Sequence, residues 1–246
     1  MELVLNIGNS FLSAGLFKNE KLKKRFRLPS RPLDPAELRK ALQDEAVDVA
    51  LIGSDNFNAG KTAERVLKNL KIPCSKVSHE DLSVKLQVEK PEEVGIDRIA
   101  NTYGALARFP GKDVIVVDMG TAVTFDLVSQ ERKFLGGAIY PGARISAEAL
   151  HQWTDKLPLV EVKKPRAPIS PSTVGNIQSG VYWGLVGAIE KLTAEMKRTY
   201  PKAAVVATGG LAQDKSLKSD LKQAIDAFEP DLTLIGLYEI LKERNL

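Results

Sequence analysis

Apolar and polar positions along residues 2–28 predict three strands, Glu2–Ile7, Leu12–Phe17 and Lys21–Leu28. A turn containing Gly8 joins the first pair, and the polar turn Lys18-Asn19-Glu20 joins the second. The same plan returns at residues 113–140, as Asp113–Asp118, Val123–Val128 and Lys133–Tyr140, with Ser129-Gln130-Glu131-Arg132 as the polar turn. In each copy an apolar strand meets a short polar residue, Asn6 or Asp118. Glycine stands two positions later, followed by Asn9 or Thr121. Helical spacing marks Pro35–Gln43 and Gly60–Leu70, with a strand at Asp48–Gly53 between them, and a further helix at 92–108. In the second half Ser172–Tyr200 reads as one long helix. A strand, Ala203–Thr208, then enters Gly209-Gly210, and helices at Lys215–Phe228 and Asp231–Leu246 follow. The stretch 158–172, with four prolines between Leu157 and Pro171, reads as irregular.

A duplicated meander followed by alternating helices and strands predicts an α/β protein of two similar lobes, residues 1–112 and 113–246. Mixed sheets and an interlobe cleft are expected, with ligands at the tight strand turns. That plan resembles the actin, sugar-kinase and Hsp70-type ATPase fold, which is ribonuclease H-like.

Composition changes this picture little. The 246 residues are 43% hydrophobic and 27% charged, as in an ordinary folded protein. A net charge of +4 suits an anionic substrate. The one basic run, Lys21 to Arg27, has apolar residues interspersed and reads as a solvated strand face, so no nucleic-acid partner is expected. A single cysteine, Cys74, excludes an intramolecular disulfide and a cysteine-cluster metal site. No signal peptide pattern opens the sequence and no apolar run spans a bilayer, so a cytoplasmic setting and no membrane partner are expected.

The candidate chemistry sits at the turns. In Asp118-Met119-Gly120-Thr121-Ala122 the carboxylate projects at a strand tip, the glycine admits a phosphate to the backbone, and Thr121 adds a hydroxyl donor. Alone this would read as an ordinary hairpin; the first copy, Asn6-Ile7-Gly8-Asn9-Ser10, makes a phosphate grip the better reading. Asn6 offers a carbonyl oxygen without charge where the second copy has a carboxylate. Gly95-Ile96-Asp97-Arg98 opens a helix. The helix dipole accounts for an acid there, while in a phosphotransferase Asp97 can take the proton of an attacking hydroxyl and Arg98 can bind an anionic group. Gly136–Gly142 allows close backbone approach at a strand exit, and Thr208-Gly209-Gly210 can line the adenosine side of a nucleotide site. Gly175, Gly180, Gly184 and Gly187 inside one helix call for close packing against another helix, within the chain or across a dimer. A Ser-His-Asp hydrolase is not expected, because neither His79 nor His151 lies in a nucleophile motif.

In this order the motifs resemble type III pantothenate kinase. The matching elements are Ile7-Gly8-Asn9-Ser10, Gly95-Ile96-Asp97-Arg98, Asp118–Asp126, Gly136–Gly142, Ser172-Thr173 with Ile177–Gly180, Thr208-Gly209-Gly210, and Asp231-Leu232 with Gly236-Leu237. The resemblance implies ATP-dependent phosphorylation of pantothenate to 4'-phosphopantothenate, the first step of coenzyme A biosynthesis. It implies Asp97 as general base; Gly95, Ile96, Asp97, Arg98 and Thr173 as pantothenate contacts; and Asn6, Ile7, Gly8, Asn9, Ser10 and Thr121 as ATP contacts. Asp118 is implied as ligand of a monovalent cation, potassium or ammonium, with Mg²⁺ accompanying ATP. A homodimer with composite sites is implied as well. Two positions depart from the family pattern: Asn6 replaces the usual aspartate, and Val88 stands where a tyrosine usually faces pantothenate. The alternative they raise is a non-catalytic relative that binds ligand as an accessory or regulatory protein.

Overall fold

The computed structural model describes residues 1–80 and 82–244. In chain order the first elements are β1 (Glu2–Ile7), β2 (Phe11–Lys18), β3 (Lys21–Pro29), α1 (Pro35–Leu42), β4 (Val49–Ser54), α2 (Phe57–Asn69), β5 (Cys74–Lys76), β6 (Lys85–Leu86) and α3 (Ile96–Arg108). There follow β7 (Val114–Met119), β8 (Ala122–Ser129), β9 (Lys133–Pro141), α4 (Ala143–Gln152), α5 (Thr173–Thr199), β10 (Ala204–Thr208), α6 (Lys215–Asp220), β11 (Ala227–Phe228) and α7 (Leu232–Glu243). Among the described residues no helix is long and apolar enough to cross a membrane.

The chain divides into two compact units. One comprises Met1–Pro110, Glu131–Leu135 and Asp231–Leu246; the other comprises Gly111–Gln130 and Gly136–Pro230. In the first unit the sheet order is β3-β2-β1-β4-β5, antiparallel through the meander and parallel from β1 to β4 and β5. β1 is central and apolar on both faces. Leu3, Leu5 and Ile7 pack with Leu38 and Leu42 of α1 and with Ala63, Val66 and Leu67 of α2. Val4 packs on the other side with Ile99 and Ala100 of α3 and Leu237 and Ile240 of α7. Helices α3 and α7 approach closely because both carry glycine where they meet. A Cβ at Gly236 would stand 1.7 Å from the Ala100 carbonyl oxygen, and one at Gly104 would stand 2.4 Å from that of Leu232. Apolar burial against β1 thus draws α7 into the first unit, although the duplicated pattern runs on to the end of the second half.

In the second unit the sheet runs β11-β10-β7-β8-β9, with β7 and β8 antiparallel and β10 parallel to both β7 and β11. β7 is almost wholly buried, with Val114 to Val117 fully enclosed. The irregular stretch before α5 is tied onto that helix. Ser179 Oγ donates to the Pro168 carbonyl at 2.6 Å, and Gln178 Nε2 donates to that of Glu161 at 2.9 Å.

Three expectations change. The helix read at 92–108 starts at Ile96, since Gly95 is extended (ψ 144°) and a short 3₁₀ turn, Pro91–Glu93, precedes it. The helix read at Lys215–Phe228 stops at Asp220, and its end becomes β11 instead. There Asp226 N–H donates to the Val205 carbonyl while its carboxylate accepts from Val205 N–H, which recruits the segment to β10. Helix α4 was not foreseen, because only Ala143 and Ala147 of it are buried and its periodic signal is thin. Of the helix read at Asp231–Leu246, positions 245 and 246 lie outside the described residues.

Candidate active site

In the first unit the turn between β1 and β2 is held from one side. Gly8 N–H donates to the Phe11 carbonyl at 3.0 Å. Ser30, itself buried, donates from Oγ to the Gly8 carbonyl at 2.7 Å and from N–H to that of Ser10 at 3.1 Å. A Cβ on Gly8 would meet the protein only at ordinary distance, 3.6 Å from Phe11 O. The fold's own packing therefore does not require glycine there, and the space belongs to whatever approaches from outside. At the strand tip the amide oxygen of Asn6 is buried and has no hydrogen-bond partner among the described residues. Such an acceptor is costly to leave unmet, so it fits a hard cation, a bound water or a ligand donor.

Helix α3 presents Gly95–Arg98. Its first amides are consumed by the protein's own carboxylates: Ile96 N–H donates to Asp55 Oδ1 at 2.8 Å, Asp97 N–H to Asp55 Oδ2 at 3.1 Å, and Arg98 N–H to Asp97 Oδ1 at 2.7 Å. The first turn of this helix therefore offers an anion none of its own amides. The Arg98 guanidinium lies over the Phe134 ring, 5.1 Å from its centroid. Val88 is partly buried against the apolar core, packed with the residues around α3 and α7.

In the second unit Asp118 ends β7 in register with Thr208 of β10 and Thr124 of β8. Thr208 is fully buried, and its hydroxyl has no partner among the described residues. Gly209 follows with φ +88°, and a Cβ there would stand 2.4 Å from Asp118 Oδ1, so only glycine lets the carboxylate settle against that backbone. Thr121 follows Gly120, whose N–H donates to the Ala122 carbonyl at 3.1 Å. Gly142, at the strand exit, closes onto this turn, since a Cβ would come within 2.3 Å of Thr121 O. Asp118 and Thr208, in register on neighbouring strands, offer oxygen atoms of the kind that hard cations take. Among the described residues no three of His, Cys, Asp and Glu gather as a metal cluster.

Thr173 begins α5 beside its cap Ser172, whose Oγ accepts from Gly175 N–H at 3.2 Å. It lines a cavity of about 730 Å³ with Tyr140, Ser146, Trp153, Asn176 and Ile177. Trp153 in its wall is 81% exposed. On the same helix Gly180, Gly184 and Gly187 recur at helical spacing, and a Cβ on any of them would meet nothing within 4 Å.

Within the first unit, then, Ser30 holds the Gly8–Ser10 turn, and Asp55 holds both the end of β1, through its N–H to the Ile7 carbonyl at 3.0 Å, and the first turn of α3. Within the second, Asp118 and Thr121 share one turn, while Thr173 lies on the α5 cavity. Sequence reading missed Asp55 and Ser30. Asp55 stands at a strand end before α2 and reads locally as part of a cap for that helix, with no signal of a partner 41 residues away.

The family model described as Type III pantothenate kinase matches residues 2–195. The type III pantothenate kinase of Geobacter sulfurreducens is 35% identical over 258 aligned positions, covering 100% of this chain and 99% of that protein. That of Phenylobacterium zucineum is 44% identical over 167, covering 67% of this chain and 63% of that protein. Among solved structures, the activator of a 2-hydroxyisocaproyl-CoA dehydratase from Clostridium difficile with bound ADPNP superposes with a TM-score of 0.53 at 13% identity, covering 100% and 97% of the two chains. That likeness shows a shared actin-like ATPase and sugar-kinase fold.

Proposed function

The chain belongs to the type III pantothenate kinase family and is an ATP-dependent kinase of pantothenate in coenzyme A biosynthesis, and we propose that its residues divide that work as follows. Asp97 accepts the proton of pantothenate's primary hydroxyl as its oxygen attacks the γ-phosphorus. The bond from that phosphorus to the β,γ-bridging oxygen breaks, and ADP leaves. Arg98 binds the pantothenate carboxylate, Gly95 and Ile96 shape the same pocket, and Thr173 reaches the substrate from α5. The turn Asn6–Ser10 and Thr121 hold the ATP phosphates through backbone and hydroxyl donors.

Two cations fit this donor set. The unmet Asn6 oxygen suits Mg²⁺ arriving with ATP, and Asp118 beside the Thr208 hydroxyl suits potassium or ammonium. When bound, they neutralise charge on the phosphate oxygens. A neutral ligand at position 6 fits a site where catalysis is mostly positioning, since one missing charge there leaves the rest of the cradle in place.

Residues 1–112 and 113–246 are in this reading the two duplicated lobes. The open glycine face of α5 is where a second copy packs, giving a homodimer with composite sites. The protein acts in the cytoplasm, without nucleic-acid or membrane partners. The observation that carries the assignment of roles is the placing of Asp97 in the first turn of α3, next to Arg98 and just after Gly95. ADP release that depends on pantothenate, Mg²⁺ and potassium together tests it; release without pantothenate would overturn it.

A further inference from the structure

The segment Ser54-Asp55-Asn56 is a junction that the proposed chemistry does not use. Asn56 caps α2, its Oδ1 accepting from Ala59 N–H at 3.2 Å, and its Nδ2 reaches the Ser30 carbonyl at 3.5 Å. Ser30 in turn holds the Gly8–Ser10 turn. Asp55 does two things at once. Its backbone N–H donates to the Ile7 carbonyl at 3.0 Å, which anchors it to that turn. Its carboxylate spans the amides of Ile96 and Asp97, 41 and 42 residues away. The two acidic side chains converge on Gly95. A Cβ there would stand 2.7 Å from Asp97 Oδ1 and 3.4 Å from Asp55 Oδ1.

We infer that Asp55 is a positioning residue for phosphoryl transfer, fixing the first turn of α3, and so the Asp97 carboxylate, in a set place relative to the phosphate turn. The inference rests on the reading of Asp97 as general base. A helix needs only one local side chain to cap it, and Ser, Thr or Asn at position 95 would serve. Here a carboxylate from a different strand does so, and it takes the amide of the reacting residue itself. Charge-assisted bonds to two successive amides resist rotation of that turn more than a single neutral cap can. Small misplacement of a reacting group is expensive, since about 1 Å can lower the rate by about 10²-fold.

The test compares Asp55→Ala, Asp55→Asn and Asp97→Asn with wild type, measuring kcat, the KM for ATP and for pantothenate, and thermal unfolding. The backbone link to Ile7 survives every substitution at 55, so the ATP turn is left in place. Asp55→Ala should lower kcat about tenfold or more with KM for ATP changed less than about twofold. Asp55→Asn keeps one acceptor but turns its NH₂ toward the other amide, and it should recover part of that rate, ending about threefold below wild type. If Asp97→Asn is inactive while both substitutions at 55 keep wild-type kcat, Asp55 is only a helix cap and the inference fails alone. Should Asp55→Ala not fold, wild-type kcat in Asp55→Asn overturns it equally. If Asp97→Asn keeps the wild-type rate, the base assignment fails and this inference falls with it.

Discussion

Replacing Gly236 by alanine tests whether the α3–α7 contact sets the position of the helix that carries Asp97. The added Cβ would fall 1.7 Å from Ala100 O, 2.6 Å from Ala100 C and 2.9 Å from Gly104 N. Carbon and carbonyl oxygen settle at about 3.3–3.6 Å, so the helices must part by about 1.7 Å. All three atoms are backbone, and no side chain can swing aside to absorb the clash. Parting them opens a gap beside Ile99, Leu237 and Ile240, which are at most 1% exposed. Overpacking of this kind costs about 3 kcal/mol. Alanine regains about 1 kcal/mol of helix propensity over glycine, which leaves a net loss of about 2 kcal/mol. For a chain of this size that corresponds to about 4–8 °C in Tm. Differential scanning calorimetry measures it directly, and kcat should fall as well because α3 shifts. An unchanged or higher Tm would refute the close-packing argument.

Two further outcomes follow from other parts of the molecule. In sedimentation equilibrium the proposed dimer predicts twice 26.9 kDa for wild type and monomer for Gly184→Leu, because the glycine face of α5 is open within one chain; a wild-type protein that is monomeric throughout would count against that interface. Asp220 accepts from Lys164 Nζ at 2.6 Å and from the Tyr182 hydroxyl at 2.7 Å, which hold its carboxyl below the ordinary 3.8, while burial and the bond to Asp220 push the Tyr182 phenol up. A depressed folded pKa gives stability that is full above 3.8 and is lost as pH falls through the folded value. The Tm advantage of wild type over Asp220→Asn should therefore hold at neutral pH and shrink below pH 3.8; a gap that stays constant in acid would contradict the linkage.

The twin meanders were legible because strand alternation and turn chemistry are local, and β1 falls on the predicted Glu2–Ile7. What was not legible depends on distant partners. Residues 215–228 have helical spacing, yet Asp226 pairs with Val205, and the tail of the segment is pulled into the sheet. Helix α7 belongs by sequence order to the second repeat and by packing to the first unit, a choice made by Gly104 and Gly236 meeting across more than a hundred residues. Among the residues to which roles are proposed, Asp97, Arg98, Asp118 and Thr121 are singled out by motif context alone. Asp55 is not, since neither of its acceptor bonds serves a neighbour in sequence.

The most direct test of the central claim is pantothenate-dependent ADP release by wild type and by Asp97→Asn, with Mg²⁺ and potassium present and folding of both verified. Wild type should turn over, and Asp97→Asn should lose about 10²-fold or more of that rate, the usual contribution of a positioned general base. Equal rates in the two proteins, or no pantothenate-dependent turnover in wild type, would contradict it.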